Sequence, residues 1–139
     1  MTDKVLNFLI RFFLLLCLLI IVLPPAASGR VVLNEILANE PGSRVKLEWV
    51  ELFNPDTSAI DLGGWTFISK SDTTIFPAGT LIPEKNYLIL ARKLVSVPPD
   101  PESFEYHWGN GSGIWGDYPE ESYPAIEVKL SLNNSSGTV

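Results

Sequence analysis

The stretch 47–67, LEWVELFNPDTSAIDLGGWTF, alternates short apolar runs with turn residues. Val50 and Leu52 lie two positions apart, as on a half-buried strand, and a cluster of Asn, Pro, Asp, Thr and Ser follows them. The pair Gly63-Gly64 then leads into a second apolar alternation that begins at Trp65. The pattern predicts a strand, a turn and a strand. Because an isolated hairpin is only marginally stable in water, we expect a second sheet to cover its apolar face.

Further short strands are predicted on both sides of this unit, because their apolar runs are bounded by Gly, Pro, Asn, Asp and Ser. Together with the two strands of the unit itself, at 45–53 and 65–69, the predicted strands cover residues 31–38, 74–76, 87–91, 104–108 and 126–132. The proline-rich segment 94–103 is predicted as a surface loop. No helical pattern of useful length follows residue 29. The sequence therefore predicts an all-β fold, an immunoglobulin-like antiparallel β-sandwich.

The strand predicted over 45–53 contains a break in its alternation. Val45, Leu47 and Trp49 share one phase, whereas Val50 takes the opposite one. A regular strand cannot bury both sets on one side, because its side chains alternate between the two faces. Two interpretations stay open: a bulge lies near Trp49, or Trp49 packs on the outer face of the sheet.

Residues 1–29 have the three-part layout of a secretory signal peptide: a positively charged start, an uninterrupted apolar run over 12–23, and then prolines and small residues. Cleavage is expected close to Ser28. The alternative is an uncleaved membrane anchor over residues 5–23, although an arginine interrupts that span. Either interpretation places residues 30–139, one domain, outside the cytoplasm. The protein is then secreted or anchored, with membrane contact only through an uncleaved leader.

The part of the chain after the leader is acidic. The full chain has 10 Lys and Arg and 16 Asp and Glu; residues 1–28 hold two and one of these, which leaves 8 against 15, a net charge of −7. No run of Lys or Arg is present, so a nucleic-acid partner is not expected. The only cysteine is Cys17, inside the leader, so residues 30–139 have neither a disulfide nor a thiol ligand.

Candidate catalytic residues are sparse. The carboxylates on or beside predicted strands are Glu35, Glu48, Glu51 and Asp61. Solvated strand edges and turn hydrogen bonds account for them. His107 is the only histidine, and no pattern ties it to a nucleophile, so neither an enzyme nor a cofactor is expected. A calcium site built from Asp117, Glu120 and Glu121 remains a minor alternative to the expected absence of metal, because calcium takes oxygen ligands.

Aromatic residues crowd the glycine-rich segment that follows the proline-rich loop. They are Tyr106, Trp108, Trp115, Tyr118 and Tyr123. Aromatic side chains on exposed loops can stack on sugar rings or anchor a protein partner, and the expected partner is a protein or a cell-surface glycan. The alternative is a small satellite cluster beneath a long loop. The sequence leaves both interpretations open.

Six motifs occur in a fixed order along the chain. They are VLNEI (32–36), EWVELFNP (48–55), DLGGW (61–65), FPAGTLI (76–82), YLIL (87–90) and LSLNN (130–134). Together they resemble the lamin tail domain of secreted bacterial or archaeal proteins over residues 31–139. The resemblance implies an immunoglobulin-like, non-catalytic interaction or structural module.

The family commonly accompanies secreted nucleases, other hydrolases or cell-surface domains. Two alternative functions follow: a carbohydrate-binding module, or the N-terminal accessory domain of a secreted hydrolase. Family members continue past the position of Val139 with a closing strand, so the chain is expected to be a fragment, truncated at its C-terminus.

Four of the matching residues have structural roles that can be argued from their chemistry. Asn54 is expected to bond the backbone two residues on and to hold the turn. Gly63 and Gly64 permit backbone angles closed to other residues. Trp65 is expected to fill the space between the two sheets, so Trp65→Ala would cost about 3 to 5 kcal/mol.

Overall fold

The computed structural model describes residues 30–38 and 45–132. Its strands are β1 (Val32–Leu37), β2 (Trp49–Phe53), β3 (Ile60–Asp61), β4 (Thr66–Ser69), β5 (Asp72–Ile75), β6 (Leu81–Ile82), β7 (Tyr87–Ala91) and β8 (Ala125–Glu127). A short 3-10 helix, η1 (Val45–Leu47), precedes β2, and one α-helix, α1 (Phe104–Trp108), lies between β7 and β8. The all-β prediction is confirmed, and the antiparallel sheets are consistent with an immunoglobulin-like sandwich.

The predicted leader, residues 1–29, lies outside the described residues, as does the end of the chain from residue 133. The described part of the chain contains no helix that is long and apolar enough to cross a membrane.

The described residues form three sheets. Strands β1, β2, β7 and β8 form a four-stranded sheet in that order, while β3 pairs with β6 and β4 pairs with β5. All pairs are antiparallel except β7 with β8, which run parallel. The parallel pair departs from the antiparallel expectation because a long connection, residues 92–124, carries the chain back to the same end of the sheet before β8 begins.

The larger of two apolar clusters, which we call the inner core, joins the four-stranded sheet to the two smaller sheets. Its buried residues are Val50, Ile60, Leu62, Phe67, Phe76, Ile82, Leu88, Leu90, Val128, Leu130 and Leu132. The alternation predicted over 126–132 is confirmed in its burial, since Glu127 and Lys129 are exposed between these residues. The strand itself is shorter than predicted and ends at Glu127.

A second cluster, the outer cluster, covers the opposite face of the four-stranded sheet. Its buried residues are Trp49, Ile89, Ala91 and Phe104. Trp49 and Val50 are adjacent in β2, yet both are buried, one on each face. The second interpretation of the broken alternation is therefore confirmed: η1 precedes the strand, and Trp49 packs on its outer face. The register shift that does occur lies between Leu33 and Glu35 in β1.

Residues 104–108 were predicted as a strand, and that prediction is wrong. They form α1, which places Phe104 and Trp108 one turn apart with their rings stacked at 4.8 Å. Phe104 also meets the Trp49 ring edge to face at 6.0 Å. The apolar residues at spacing four cover the outer face as one helix turn, which a short apolar run does not distinguish from a strand.

Trp65 does not fill the space between the sheets. Its side chain is 49% exposed, whereas Phe67, two residues on, is buried in the inner core. Trp65 closes a turn in which its N–H donates to the Leu62 carbonyl at 2.8 Å. The indole therefore projects from the end of a turn, and the expectation that it is the central buried side chain is wrong.

Candidate functional site

Residues 94–124 form a layer over the outer face of the four-stranded sheet, and we call this segment the aromatic layer. Phe104 anchors it, being 3% exposed and packed against Trp49. The Trp115 ring lies 5.1 Å from the Phe104 ring, and the Trp115 Nε1–H donates to the Tyr123 carbonyl at 3.0 Å. The layer is therefore attached by aromatic packing at several points along its length.

A buried glutamate in α1 holds the glycine-rich loop in place. Glu105 is fully buried, and its two carboxylate oxygens accept hydrogen bonds from different backbone amides. Oε1 accepts from Ser112 N at 2.7 Å, and Oε2 accepts from Gly113 N at 3.0 Å. Hydrogen bonds to an ionised group are stronger than neutral ones, so this one side chain fixes the middle of the loop.

A second buried glutamate holds the same loop from its other end. Glu121 is 3% exposed; its Oε1 accepts from Asn110 N at 3.0 Å and its Oε2 from Gly116 N at 2.7 Å. A Cβ added at Gly109 would overlap Glu121 Oε1 and lie 2.7 Å from the Glu105 carbonyl oxygen. Gly109 is therefore required by the close approach of the carboxylate.

The five predicted aromatic residues divide into two sets. Trp115 and Tyr123 are partly buried against the outer cluster, with their rings 5.5 Å apart. Burial, followed by the nearby carboxylates of Glu51 and Glu121, raises the pKa of the Tyr123 phenol. For these two residues the structure supports the satellite cluster.

The remaining three predicted aromatics are more exposed, although the Trp108 ring also packs against Phe104 and Trp49. Tyr106 is 44% exposed, Trp108 40% and Tyr118 48%. Asn110 Nδ2 donates to Asp117 Oδ1 at 3.0 Å, which joins the chain beside Tyr118 to the turn beside Tyr106. Tyr106 and Trp108 lie on α1, and Tyr118 lies on the following loop, which this hydrogen bond ties back to the residues just after α1.

Charge distinguishes this layer from the rest of the surface. Its acidic residues are Asp100, Glu102, Glu105, Asp117, Glu120 and Glu121, and it contains neither Lys nor Arg. Lys46, from outside the layer, pairs with Glu102 at 2.5 Å. Because the two buried glutamates are engaged with backbone, the exposed negative charge next to Tyr118 in the chain comes from Asp117 and Glu120.

Most carboxylates predicted as chemical candidates have structural partners. Glu48 is buried, pairs with Arg92 at 2.8 Å and accepts from Leu132 N at 3.2 Å. Glu51 accepts from Asn34 Nδ2 at 2.6 Å, and Asp61 accepts from a turn amide. The contacts of Glu51 and Asp61 fit the expected edge and turn roles, whereas Glu48 is buried in an ion pair, so the expectation of a solvated edge is wrong for it.

The calcium alternative finds no support. Among the residues that the structure describes, no group of three His, Cys, Asp or Glu side chains is arranged to hold a metal ion. Glu121 turns inward to backbone amides, away from any shared site with Asp117 and Glu120.

The His107 ring lies between its two aromatic neighbours, 5.9 Å from the Tyr106 ring and 5.6 Å from the Trp108 ring.

Asn54 holds its turn as predicted, and it also bonds to carbonyl groups elsewhere in the chain. Its Oδ1 accepts from Asp56 N at 2.9 Å, which is the expected bond two residues on. Its Nδ2 lies within hydrogen-bond distance of the carbonyls of Ser58, Ile82 and Pro83, at 2.8, 3.1 and 3.0 Å. Since Asn54 is fully buried, it ties the end of β2 to the chain after β6.

The two predicted glycines act for different reasons. Gly64 has φ +81°, as expected for a position closed to other residues. For Gly63 the reason is space: a Cβ there would lie 3.0 Å from Asp61 Oδ1 and 3.1 Å from the Ala78 Cα.

Sequence reasoning missed Glu105 and Glu121 as the residues that organise the layer. Four glycines between them were the available signal, because their amides need acceptors.

Comparison with known proteins adds one finding. The family model described as Lamin Tail Domain matches residues 24–139. No curated protein and no solved structure matches the chain.

Proposed function

The chain belongs to the lamin tail domain family, and from that premise we propose that it is a non-catalytic extracellular module that binds a protein partner through its aromatic layer. Family membership supports an immunoglobulin-like interaction or structural module. The extracellular location rests on the three-part layout of residues 1–29.

One observation carries the proposal: exposed aromatics lie on α1 and on the loop that follows it, and two buried glutamates accept hydrogen bonds from the amides of that loop. Tyr106, Trp108 and Tyr118 are each 40% exposed or more, although large apolar side chains are usually buried. The four carboxylate–amide bonds order the loop before any partner arrives. A preordered surface loses less conformational entropy on binding, which favours affinity.

The charge of the layer favours a protein over a glycan. Aromatic faces attract Lys and Arg side chains, and the exposed carboxylates of Asp117 and Glu120 lie within two residues of Tyr118 in the chain. A neutral sugar would stack on the rings without using that charge. The preferred partner is therefore a protein segment that carries Lys or Arg.

The bonding of the carboxylates supports a non-catalytic role. Glu48, Glu105 and Glu121 are buried, and each binds backbone amides or an arginine. A general acid or base must reach the proton that it transfers. Groups engaged in this way hold the fold together.

The test measures binding of labelled peptides by fluorescence anisotropy. The peptides have equal length and apolar content and carry Lys and Arg, no charge, or Asp and Glu. The cationic peptide is expected to bind about tenfold more tightly than the neutral one, and added salt should weaken it. The double variant Tyr106→Ala/Tyr118→Ala should lose that preference, while Trp65→Ala, an exposed aromatic elsewhere, should keep it.

Any one of three results would overturn the proposal. Saturable binding on a glycan array, without a preference among the peptides, would assign the layer to a sugar. Turnover of peptide, ester or nucleic-acid substrates by the purified chain would contradict the non-catalytic role. Detection of the protein inside the source cells, with residues 1–29 retained and no membrane association, would contradict the extracellular location.

A further inference from the structure

Strand β1 lies at one edge of the four-stranded sheet. Among the described residues its only hydrogen-bonded neighbour is β2. It has six residues, and the four at its centre are exposed. An edge strand presents a row of backbone N–H and C=O groups that can pair with another strand.

Two aliphatic side chains of β1 face the core side of the sheet without being covered. Leu33 lies opposite Leu52 and is 43% exposed. Ile36 lies opposite Val50, which is fully buried in the inner core, yet Ile36 is 41% exposed. The core face of the sheet therefore continues to its edge, where the described residues leave it open.

The bulge in β1 restricts what can pair with this edge. The register shifts between Leu33 and Glu35, so Leu33 and Ile36 share a face although they are three residues apart. A regular strand repeats its faces every two residues and cannot match both side chains. A strand with the same irregularity can match them.

We propose that β1 pairs with β1 of a second copy of this chain, antiparallel, about a two-fold axis between Asn34 and Glu35. This register sets Leu33 opposite Ile36 of the second copy. Val32 then lies opposite Leu37, on the outer face that Leu37 already shares with the outer cluster. The two four-stranded sheets become one continuous sheet.

The same register satisfies the polar residues of the strand. Asn34 lies opposite Glu35 of the second copy; one Nδ2 hydrogen is donated to Glu51 of its own chain, and the other can be donated to that carboxylate. A parallel, in-register pairing would instead set Glu35 beside Glu35, and like charges directly opposite each other are destabilising. Charge and side-chain pattern both select the antiparallel arrangement, which is isologous as a two-fold dimer requires.

The first experiment measures oligomeric state by sedimentation velocity. The full chain is kept in mild detergent so that its apolar leader does not associate, and the dimer is expected at micromolar concentration. Ile36→Lys should weaken dimerisation at least about tenfold, because it places a charge at the centre of the contact. Ile75→Lys is the matched control, since Ile75 is an aliphatic on another strand and is 67% exposed.

The second experiment tests the register on a Cys17→Ser background. Chains with Leu33→Cys are mixed with chains with Ile36→Cys and oxidised; residues directly opposite each other are close enough for a disulfide. The mixed pair should cross-link at least about tenfold faster than either variant alone.

A monomer at all concentrations would overturn the inference and assign the edge to a segment of the same chain. A dimer unaffected by Ile36→Lys, or equal cross-linking by either variant alone, would also overturn it. Unchanged circular dichroism of each variant excludes unfolding as the cause.

Discussion

The two faces of the four-stranded sheet are covered in different ways. The inner core is built mainly from aliphatic side chains contributed by strands and by the chain that follows β8. The outer cluster is built around Trp49 and Phe104, and its cover is one short helix and a long loop. On the inner-core face, other strands pack against the sheet. On the outer face, the covering segment is irregular, and side-chain carboxylates organise it.

The difference shows how an irregular segment can be as ordered as a sheet. Strands satisfy their backbone groups by pairing, whereas a loop has to find other acceptors. In the aromatic layer Glu105 and Glu121 are these acceptors, each accepting two amide hydrogen bonds. The outer cover therefore depends on very few side chains, and single substitutions should separate the two faces.

The largest effect is expected for Trp49→Ala. Trp49 is 8% exposed and packs against Phe104 and Trp108, so its removal should cost about 3 to 5 kcal/mol of unfolding free energy. Its buried Nε1 has no hydrogen-bond partner in the described part of the chain. Trp49→Phe keeps a ring there and should cost much less, and chemical denaturation compares the two. Equal losses of stability for Trp49→Ala and Trp49→Phe would show that an aromatic ring at position 49 does not hold the aromatic layer on the sheet.

Glu105→Ala should release the loop while leaving the inner core folded. The amides of Ser112 and Gly113, of which the second is buried, lose their carboxylate acceptor, and the expected cost is roughly 2 to 4 kcal/mol. Hydrogen exchange should accelerate at Ser112 and Gly113 far more than at Leu88 or Leu90. Glu120→Ala, an exposed carboxylate of the same layer, is the control and should change neither. Equal acceleration in β7 would mean that the two faces do not unfold separately.

Gly109→Ala tests the close approach of the second carboxylate. Its Cβ would displace Glu121 Oε1, so we expect a loss of about 1 to 3 kcal/mol and faster exchange at Asn110 and Gly116. Gly116→Ala meets no atom within 4 Å but has φ +92°, so it should cost only about 1 kcal/mol. Thermal melts of the two variants compare steric overlap with backbone strain. The reverse order would contradict the assigned role of Gly109.

The smallest effect is expected for Trp65→Ala. Half of the side chain is exposed, so about 1 kcal/mol of stability should be lost, well below the cost at Trp49. The emission of the other tryptophans should be unchanged. A loss of unfolding free energy as large as that of Trp49→Ala would instead support the sequence-based prediction that Trp65 is buried between the sheets.

Much of the strand pattern was predictable. The predicted strand 87–91 has the observed bounds, and Asn54 makes the turn bond that its residue type suggests. The aromatic residues of the candidate site were also found, but not their division into packed and exposed sets. Glu105 and Glu121 were not predicted as buried, since carboxylates on a glycine-rich segment usually belong to a solvated surface.

The sequence by itself determined where strands alternate and where turns interrupt them, because both depend on neighbouring residues. It also showed that Trp49 and Val50 need different environments. Only the tertiary structure decided which tryptophan is buried and which acids turn inward. Burial depends on what packs against a face, and the cover of Trp49 comes from α1, more than fifty residues away in the chain.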